Sequence, residues 1–334
     1  MALDKQFQKQ PWYDQLPSVD LDVSEPNLNQ FFEYMYERQE IWHKRFILKQ
    51  PAPWTTYPIL RDYKFTNVYR ELDRSSQFTI KHVLLNTTLT RRDLIWQIIL
   101  YRYFNSPETF ATTPMPTFKQ YSEAKLTKHI NNLKESGINP FTTAYLNASS
   151  LLIGRKRIDV YCDTIIPVMH EMVDSIIEAI EESEAKDNVY ILITALLKLP
   201  NIGNFLAHEI YQDFCYTERY SHIRLMKWDA NDFTNVGPGC STGIRIIFPS
   251  CANIKEQEEK LYLLRDISGD YLKQFGEFKY LNWNKKKQEY FVTPGKGQIH
   301  LHLSEMWACE FQKLWKMQIN QGKQRSKFKA ITTI

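Results

Sequence analysis

None of the five cysteines in this 334-residue chain belongs to a Cys-x-x-Cys pair, and their number is odd. That argues against a disulfide framework and against a zinc site, and it favours a reducing interior. No apolar run approaches the roughly eighteen residues that cross a bilayer. The opening Met-Ala-Leu-Asp-Lys-Gln carries no apolar stretch of the export-signal kind. The expectation is a soluble, cytoplasmic protein with no membrane partner. The string Gly-x-x-x-x-Gly-Lys-Ser/Thr is missing, and Gly295-Lys-Gly297 does not replace it, so a kinase of the P-loop type is disfavoured. Neither βαβ alternation nor sustained heptads occur, and no internal repeat stands out beyond the two glycine turns below. No metal and no cofactor is expected.

Apolar residues make up 43% of the chain and charged ones 24%, a balance that supports a packed core. The net charge is only +4, but its distribution is uneven. Lys285, Lys286 and Lys287 and the tail Lys323, Arg325, Lys327 and Lys329 gather positive charge, and residues 178–184 gather negative charge. A local basic surface holds phosphates even when the total is small.

Periodicity predicts a mostly α protein. Residues 1–30, with Pro11, Pro17 and Pro26, read as an arm, residues 31–320 as a single helical catalytic domain in one or two lobes, and residues 321–334 as a basic tail. Helices are expected from Asn29, over 59–76, and over 90–104, where Thr90 and Asp93 have capping-box spacing. More are expected over 117–136, 141–152, 165–184, 188–199, 203–216, 239–248, 254–275 and 303–318. The prolines of residues 51–58 exclude helix there. A minor β-hairpin is expected near 280–293.

Two glycine turns carry the strongest functional signal. Residues 196–207 (Leu-Leu-Lys-Leu-Pro-Asn-Ile-Gly-Asn-Phe-Leu-Ala) and 233–245, with Val236-Gly-Pro-Gly239, each read as a helix end, a tight turn and a helix start. That is the pattern of a helix-hairpin-helix, in which backbone N–H groups at a helix N-terminus meet a phosphate. Gly203, Gly237 and Gly239 free the backbone, and Ser241 and Thr242 add hydroxyls. An ordinary helical corner is the plainer reading of the first turn.

Charged side chains within helices come next. Asn67, Arg70, Glu71 and Arg74 stand at i, i+3, i+4 and i+7, with Lys64 and Asp73 beside them. On a helix they share a face that fits either a phosphate or an internal salt-bridge network. Glu209 and Asp213 are spaced i, i+4, as an acid/base pair or as a solvated face. Glu310 and Lys313 form an i, i+3 pair between aromatics, structural or lining a pocket for a flipped base. Asn105 reads as a C-cap before Pro107, and Arg102 as part of the same helix end.

Read in order, Tyr63-Lys-Phe-Thr-Asn-Val-Tyr-Arg-Glu-Leu-Asp-Arg74, Tyr101-Arg-Tyr-Phe-Asn105, Pro140-Phe-Thr-Thr-Ala-Tyr145, Phe205-Leu-Ala-His-Glu-Ile-Tyr-Gln-Asp213, Val236-Gly-Pro-Gly239 and Ala308-Cys-Glu-Phe-Gln-Lys313 resemble one family. It is the α-glutamyl/putrescinyl-thymine pyrophosphorylase-like group, also labelled the helical domain of 5-hydroxymethyluracil DNA kinases. The resemblance implies a fold related to helix-hairpin-helix DNA glycosylases. It also implies a role in phage thymidine hypermodification, in which an amino acid replaces the phosphate on phosphorylated 5-hydroxymethyluracil and protects the DNA from host nucleases. The partners implied are double-stranded DNA with a modified thymine and a free amino acid. In that chemistry Arg70 and Arg74, with Lys64, receive the departing phosphate, Asp213 takes the amine proton, and Glu209 supports it. A DNA glycosylase using the same Asp213 and a non-catalytic DNA-binding module are the rival readings.

Overall fold

The computed structural model describes residues 23–143, 154–322 and 327–328. The helices along the chain are α1 (Glu25–Trp42), α2 (Pro58–Asp62), α3 (Arg74–Thr79), α4 (Arg91–Phe104), α5 (Glu123–Glu135), α6 (Arg157–Val160), α7 (Ile166–Glu171), α8 (Val173–Ala185), α9 (Val189–Lys198), α10 (Asn204–Tyr220), α11 (Pro238–Ile247) and α12 (Ile254–Leu272). Strands β1 (Lys279–Asn284) and β2 (Glu289–Pro294) precede helix α13 (Leu301–Gln318). The described residues are mostly helical with one antiparallel hairpin, and the hairpin falls where the aromatic and β-branched residues around a lysine turn predict it.

Contacts divide the described chain into two compact units. One takes residues 74–143 and 154–229, and the other takes 23–73 and 230 onward. The stretch expected as one domain, 31–320, is thus shared between them. The expected arm and tail, like most of the expected helix 141–152, lie largely outside the described residues. Helix α1 begins at Glu25, earlier than the sequence suggested, because Pro26 takes a first-turn position that needs no N–H donor.

The first unit is built around α4, which is buried on every side from Asp93 to Phe104. Its ends are set locally. The Asp93 backbone N–H donates to Thr90 Oγ1 at 3.2 Å, and the Thr90 N–H donates to Asp93 Oδ2 at 3.1 Å. Asn105 caps the C-terminus in the left-handed conformation, with φ 46°. Helices α8 and α10 pack against α4, and α9 pairs with α8.

In the second unit α11 lies close against α13, and two glycines make this approach possible. A Cβ at Gly243 would overlap the Ala308 carbonyl, and one at Gly239 would stand 2.5 Å from Cys309 Sγ. Helix α1 seals the same core through rings: Phe31 meets Phe311 edge-on at 5.7 Å, and Tyr34 stacks on Trp307 at 5.0 Å. Gln39 Nε2 donates to the Lys279 carbonyl at 2.7 Å and ties α1 to the hairpin.

Two expectations are corrected here. Residues 59–76 are not one helix: α2 stops at Asp62, residues 63–69 are not helical, and Arg70–Leu72 is a single 3-10 turn before α3. Asn67, Arg70, Glu71 and Arg74 therefore share no helical face. Side chains distant in sequence hold the segment open, overriding its local helical spacing. The second glycine turn is also not a hairpin between helices. Residues 221–236 form no helix, so Gly237 is the N-cap of α11 entered from an irregular segment. The first turn does join two helices, α9 and α10.

Candidate functional site

The non-helical segment 63–73 is the scaffold of a polar cluster in the second unit. Arg38, buried on α1, donates to the Phe65 carbonyl through Nε at 3.3 Å and Nη2 at 3.1 Å, and to Asn67 Oδ1 at 2.8 Å. Asn67 passes this on, donating to Asp73 Oδ1 through its backbone N–H at 3.1 Å and its side-chain Nδ2 at 2.9 Å. Arg70 Nε stands 3.7 Å from Asp73 Oδ2. From the other side, Glu310 on α13 accepts the Thr66 backbone N–H at 3.2 Å and pairs with Lys313 at 2.5 Å. Backbone donors that a helix would have used internally are turned outward and satisfied by carboxylates.

Electrostatics bind these groups together. Burial raises the Asp73 carboxyl, and the neighbouring Arg70 charge opposes that rise. Burial likewise lowers Arg38, with Asp73 partly restoring it. Burial works against the Lys313 ammonium, but Glu310 and Cys309 more than offset it, so Lys313 titrates above its ordinary value. Lys313 also feels the Arg70 charge, which lowers it slightly against the larger pull of Glu310. The Cys309 thiol is pushed up to about 11 by burial, so it is a neutral packing group rather than a thiolate nucleophile. Beneath them, Tyr34 Oη and Trp307 Nε1 are buried and carry no hydrogen-bond partner. Lys64 lies exposed at the head of the same segment.

In the first unit the expected acid/base pair has a different setting. Asp213 and Glu209 are both buried, and both face Arg102 of α4. Arg102 Nε and Nη2 reach the two Asp213 oxygens at 2.5 and 2.7 Å, and Nη1 reaches Glu209 Oε2 at 2.7 Å. Asp213 has no exposed surface, so the geometry is that of an internal counter-ion. Sequence reasoning placed Arg102 at a helix end. The missed signal is its position on a helix apolar on every side, where a guanidinium needs buried carboxylates.

Arg74, the first residue of α3, pairs with Glu108 at 2.5 Å. With Ser75, Asn105 and Phe141 it lines an open cavity of about 550 Å³, whose lining includes neither Glu209 nor Asp213. Burial opposes ionisation of Glu108, but its hydrogen bonds and Arg74 hold its carboxyl below the usual value.

The glycine turns differ from expectation in detail. Gly203 and Gly237 have negative φ, and a Cβ at either would meet nothing within 4 Å. In the first turn it is Asn201, with φ 60°, that takes the left-handed conformation. A Cβ at Gly239 would crowd only the Cys309 sulfur, 2.5 Å away, and no backbone atom within 3.4 Å. Thr242 spends its hydroxyl on the Pro238 carbonyl at 2.9 Å, and Ser241 accepts from Arg245 at 3.4 Å. Of the turn's proposed hydroxyl donors, Thr242 is therefore engaged within its own helix.

Among the described residues no three His, Cys, Asp or Glu side chains gather as metal ligands, and no helix is long and apolar enough to cross a membrane.

A helical protein with an ion-paired cluster presented on an extended segment defines a class that a family comparison makes specific. The model described as "5-hmdU DNA kinase, helical domain" matches residues 25–324, and the chain belongs to this family. A curated relative, the 5-hmdU DNA kinase of Bacillus phage SP10, is 28% identical over 306 residues, covering 88% of this chain and 46% of the relative. The chain thus spans about half the length of the curated relative it matches. No solved structure matches it.

Proposed function

We propose that this chain modifies DNA at a thymine-derived base, transferring an amino acid onto phosphorylated 5-hydroxymethyluracil in double-stranded DNA. The observation that carries the reading is family membership over residues 25–324. The relative's name supplies the base and the polymer. These 334 residues contain no Gly-x-x-x-x-Gly-Lys-Ser/Thr string, which favours a step that consumes the phosphorylated base over one that makes it.

In this reading the chemistry belongs to the second unit. The amine nitrogen of the amino acid attacks the 5-methylene carbon, the carbon–oxygen bond breaks, and phosphate leaves. Arg70 and Lys313 receive the departing oxyanion. Glu310 takes the proton released from the nitrogen. Arg38, Asn67 and Asp73 are positioning residues that fix the segment bearing Arg70. Asp213 and Glu209 hold the interior of the first unit and leave the proton transfer to Glu310. The setting is the host cytoplasm, where such a modification shields phage DNA from restriction.

The test incubates the full chain with duplexes carrying 5-phosphomethyluracil, or 5-hydroxymethyluracil with ATP, each with mixed amino acids. The DNA is then digested to nucleosides for mass spectrometry. An aminoacylated thymidine formed from the phosphorylated duplex is the expected product. A phosphorylated nucleoside made from 5-hydroxymethyluracil and ATP replaces the proposal with a kinase. Free base with abasic sites replaces it with a glycosylase, and an unchanged profile with binding retained leaves a non-catalytic module.

A further inference from the structure

We infer that a basic groove on the first unit, lined by Lys134, Lys156 and Arg157, is a contact site for the phosphate backbone of DNA. The groove encloses about 480 Å³ between the end of α5 and the start of α6, and none of its described lining residues is acidic. Lys134 and Lys156 are exposed at its rim. Arg157 is half-buried, with its guanidinium 3.9 Å from the centre of the Phe141 ring and 5.1 Å from that of Tyr161. Its Nε and Nη2 are fully buried and have no hydrogen-bond partner. The guanidinium is a planar cation held against two rings at the groove wall, and it adds its charge to that of the two lysines.

Two features select a polynucleotide over the amino acid co-substrate. A free amino acid brings an ammonium group as well as a carboxylate, and the described lining of this groove has no carboxylate to receive it. The groove also shares Ile138, Asn139 and Phe141 with the 550 Å³ cavity beside it. The two depressions therefore flank one loop, which suits an extended chain better than a single small molecule. The inference rests on the reading of DNA as substrate.

The test is a fluorescence-polarisation titration of a labelled DNA duplex at several salt concentrations. The full chain is compared with a Lys134→Ala, Lys156→Ala double variant and with Arg157→Ala. The double variant is expected to bind at least tenfold more weakly at low salt. Its log K against log salt slope should be shallower by about 2, since each phosphate contact contributes about 0.9. Arg157→Ala is expected to weaken binding tenfold or more. Unlabelled duplex should compete, and free glycine or glutamate in excess should not. Unchanged affinity and slope in the double variant, competition by a free amino acid, or absence of duplex binding by the unaltered chain each overturn the inference. A shallower slope in the double variant, with no altered nucleoside in the mass-spectrometric assay, keeps the groove and removes the proposed transfer.

Discussion

Arg102 and Asp213 form a closed fork inside the first unit, with the guanidinium meeting both carboxylate oxygens at 2.5 and 2.7 Å and neither side chain more than 1% exposed. Glu209 completes the arrangement from one turn earlier on α10. Two carboxylates and one guanidinium buried together are stable only as a set.

Removing the cation should therefore be severe. Arg102→Met is expected to cost about 3–5 kcal/mol of folding stability, because it takes from the buried Glu209 and Asp213 the guanidinium they share. Asp213→Asn should act in the same direction. Urea unfolding followed by circular dichroism measures both. An Asp213→Asn protein of unchanged stability that has lost turnover would return Asp213 to the chemistry.

The glycines divide into two groups. Gly243→Ala drives a methyl group into the Ala308 carbonyl and should cost about 3 kcal/mol or abolish folding, the upper range for overpacking. Gly203→Ala and Gly237→Ala meet open space at negative φ, so each should change stability by less than about 1 kcal/mol. Thermal melts separate the groups. A loss of DNA affinity in the second group without a change in melting would show a backbone approach at those turns.

Glu310 is the proposed proton acceptor. Glu310→Gln should lower product formation by about 100-fold or more, the usual size of a general-base contribution, with DNA affinity retained. Single-turnover assays on the phosphorylated duplex measure it, and an unaltered rate would leave Glu310 as a structural partner of Thr66.

Cys309 gives a chemical check on the same helix. Its thiol titrates at about 11 against an ordinary 9.0, chiefly through burial. At pH 8 its thiolate fraction is about 100-fold below that of a free thiol. Alkylation by iodoacetamide, followed by peptide mass spectrometry, should be slow at pH 8 and accelerate steadily toward pH 11. Rapid labelling at pH 8 would mean that the α13 face is open.

Glu258 on α12 supplies a pH signature. Burial, with help from Glu259, pushes its carboxyl up to about 7 from 4.5. A raised carboxyl favours the folded state while it stays protonated, and that advantage is lost as pH rises from about 4.5 through about 7. Glu258→Gln should therefore stabilise the protein at pH 8, by about 1–2 kcal/mol, and leave it nearly unchanged at pH 4. Equal shifts at both values would refute the assignment.

The helices were legible wherever local rules govern. Thr90 with Asp93, Asn105 before Pro107 and the lysine turn of the hairpin appear in the sequence as they stand in the fold. Glu310 and Lys313 were legible as a pair because i, i+3 neighbours meet on any helix. Residues 59–76 misled because their helical spacing is genuine, while the forces that unwind them come from Arg38 and Glu310, far away in sequence. Arg102 and Arg157 were overlooked for a related reason. Their partners, Asp213 and Phe141, are known only once segments far apart in sequence are placed beside one another.

The Thr66 amide meets Glu310 across 244 positions of chain, with every described residue of the first unit encoded between them. During synthesis the Arg102 fork has all its members outside the ribosome while α13 is still to be translated. The cluster that holds residues 63–73 is thus assembled last, so a nascent chain halted before Lys313 carries a complete first unit and an unclosed segment 63–73.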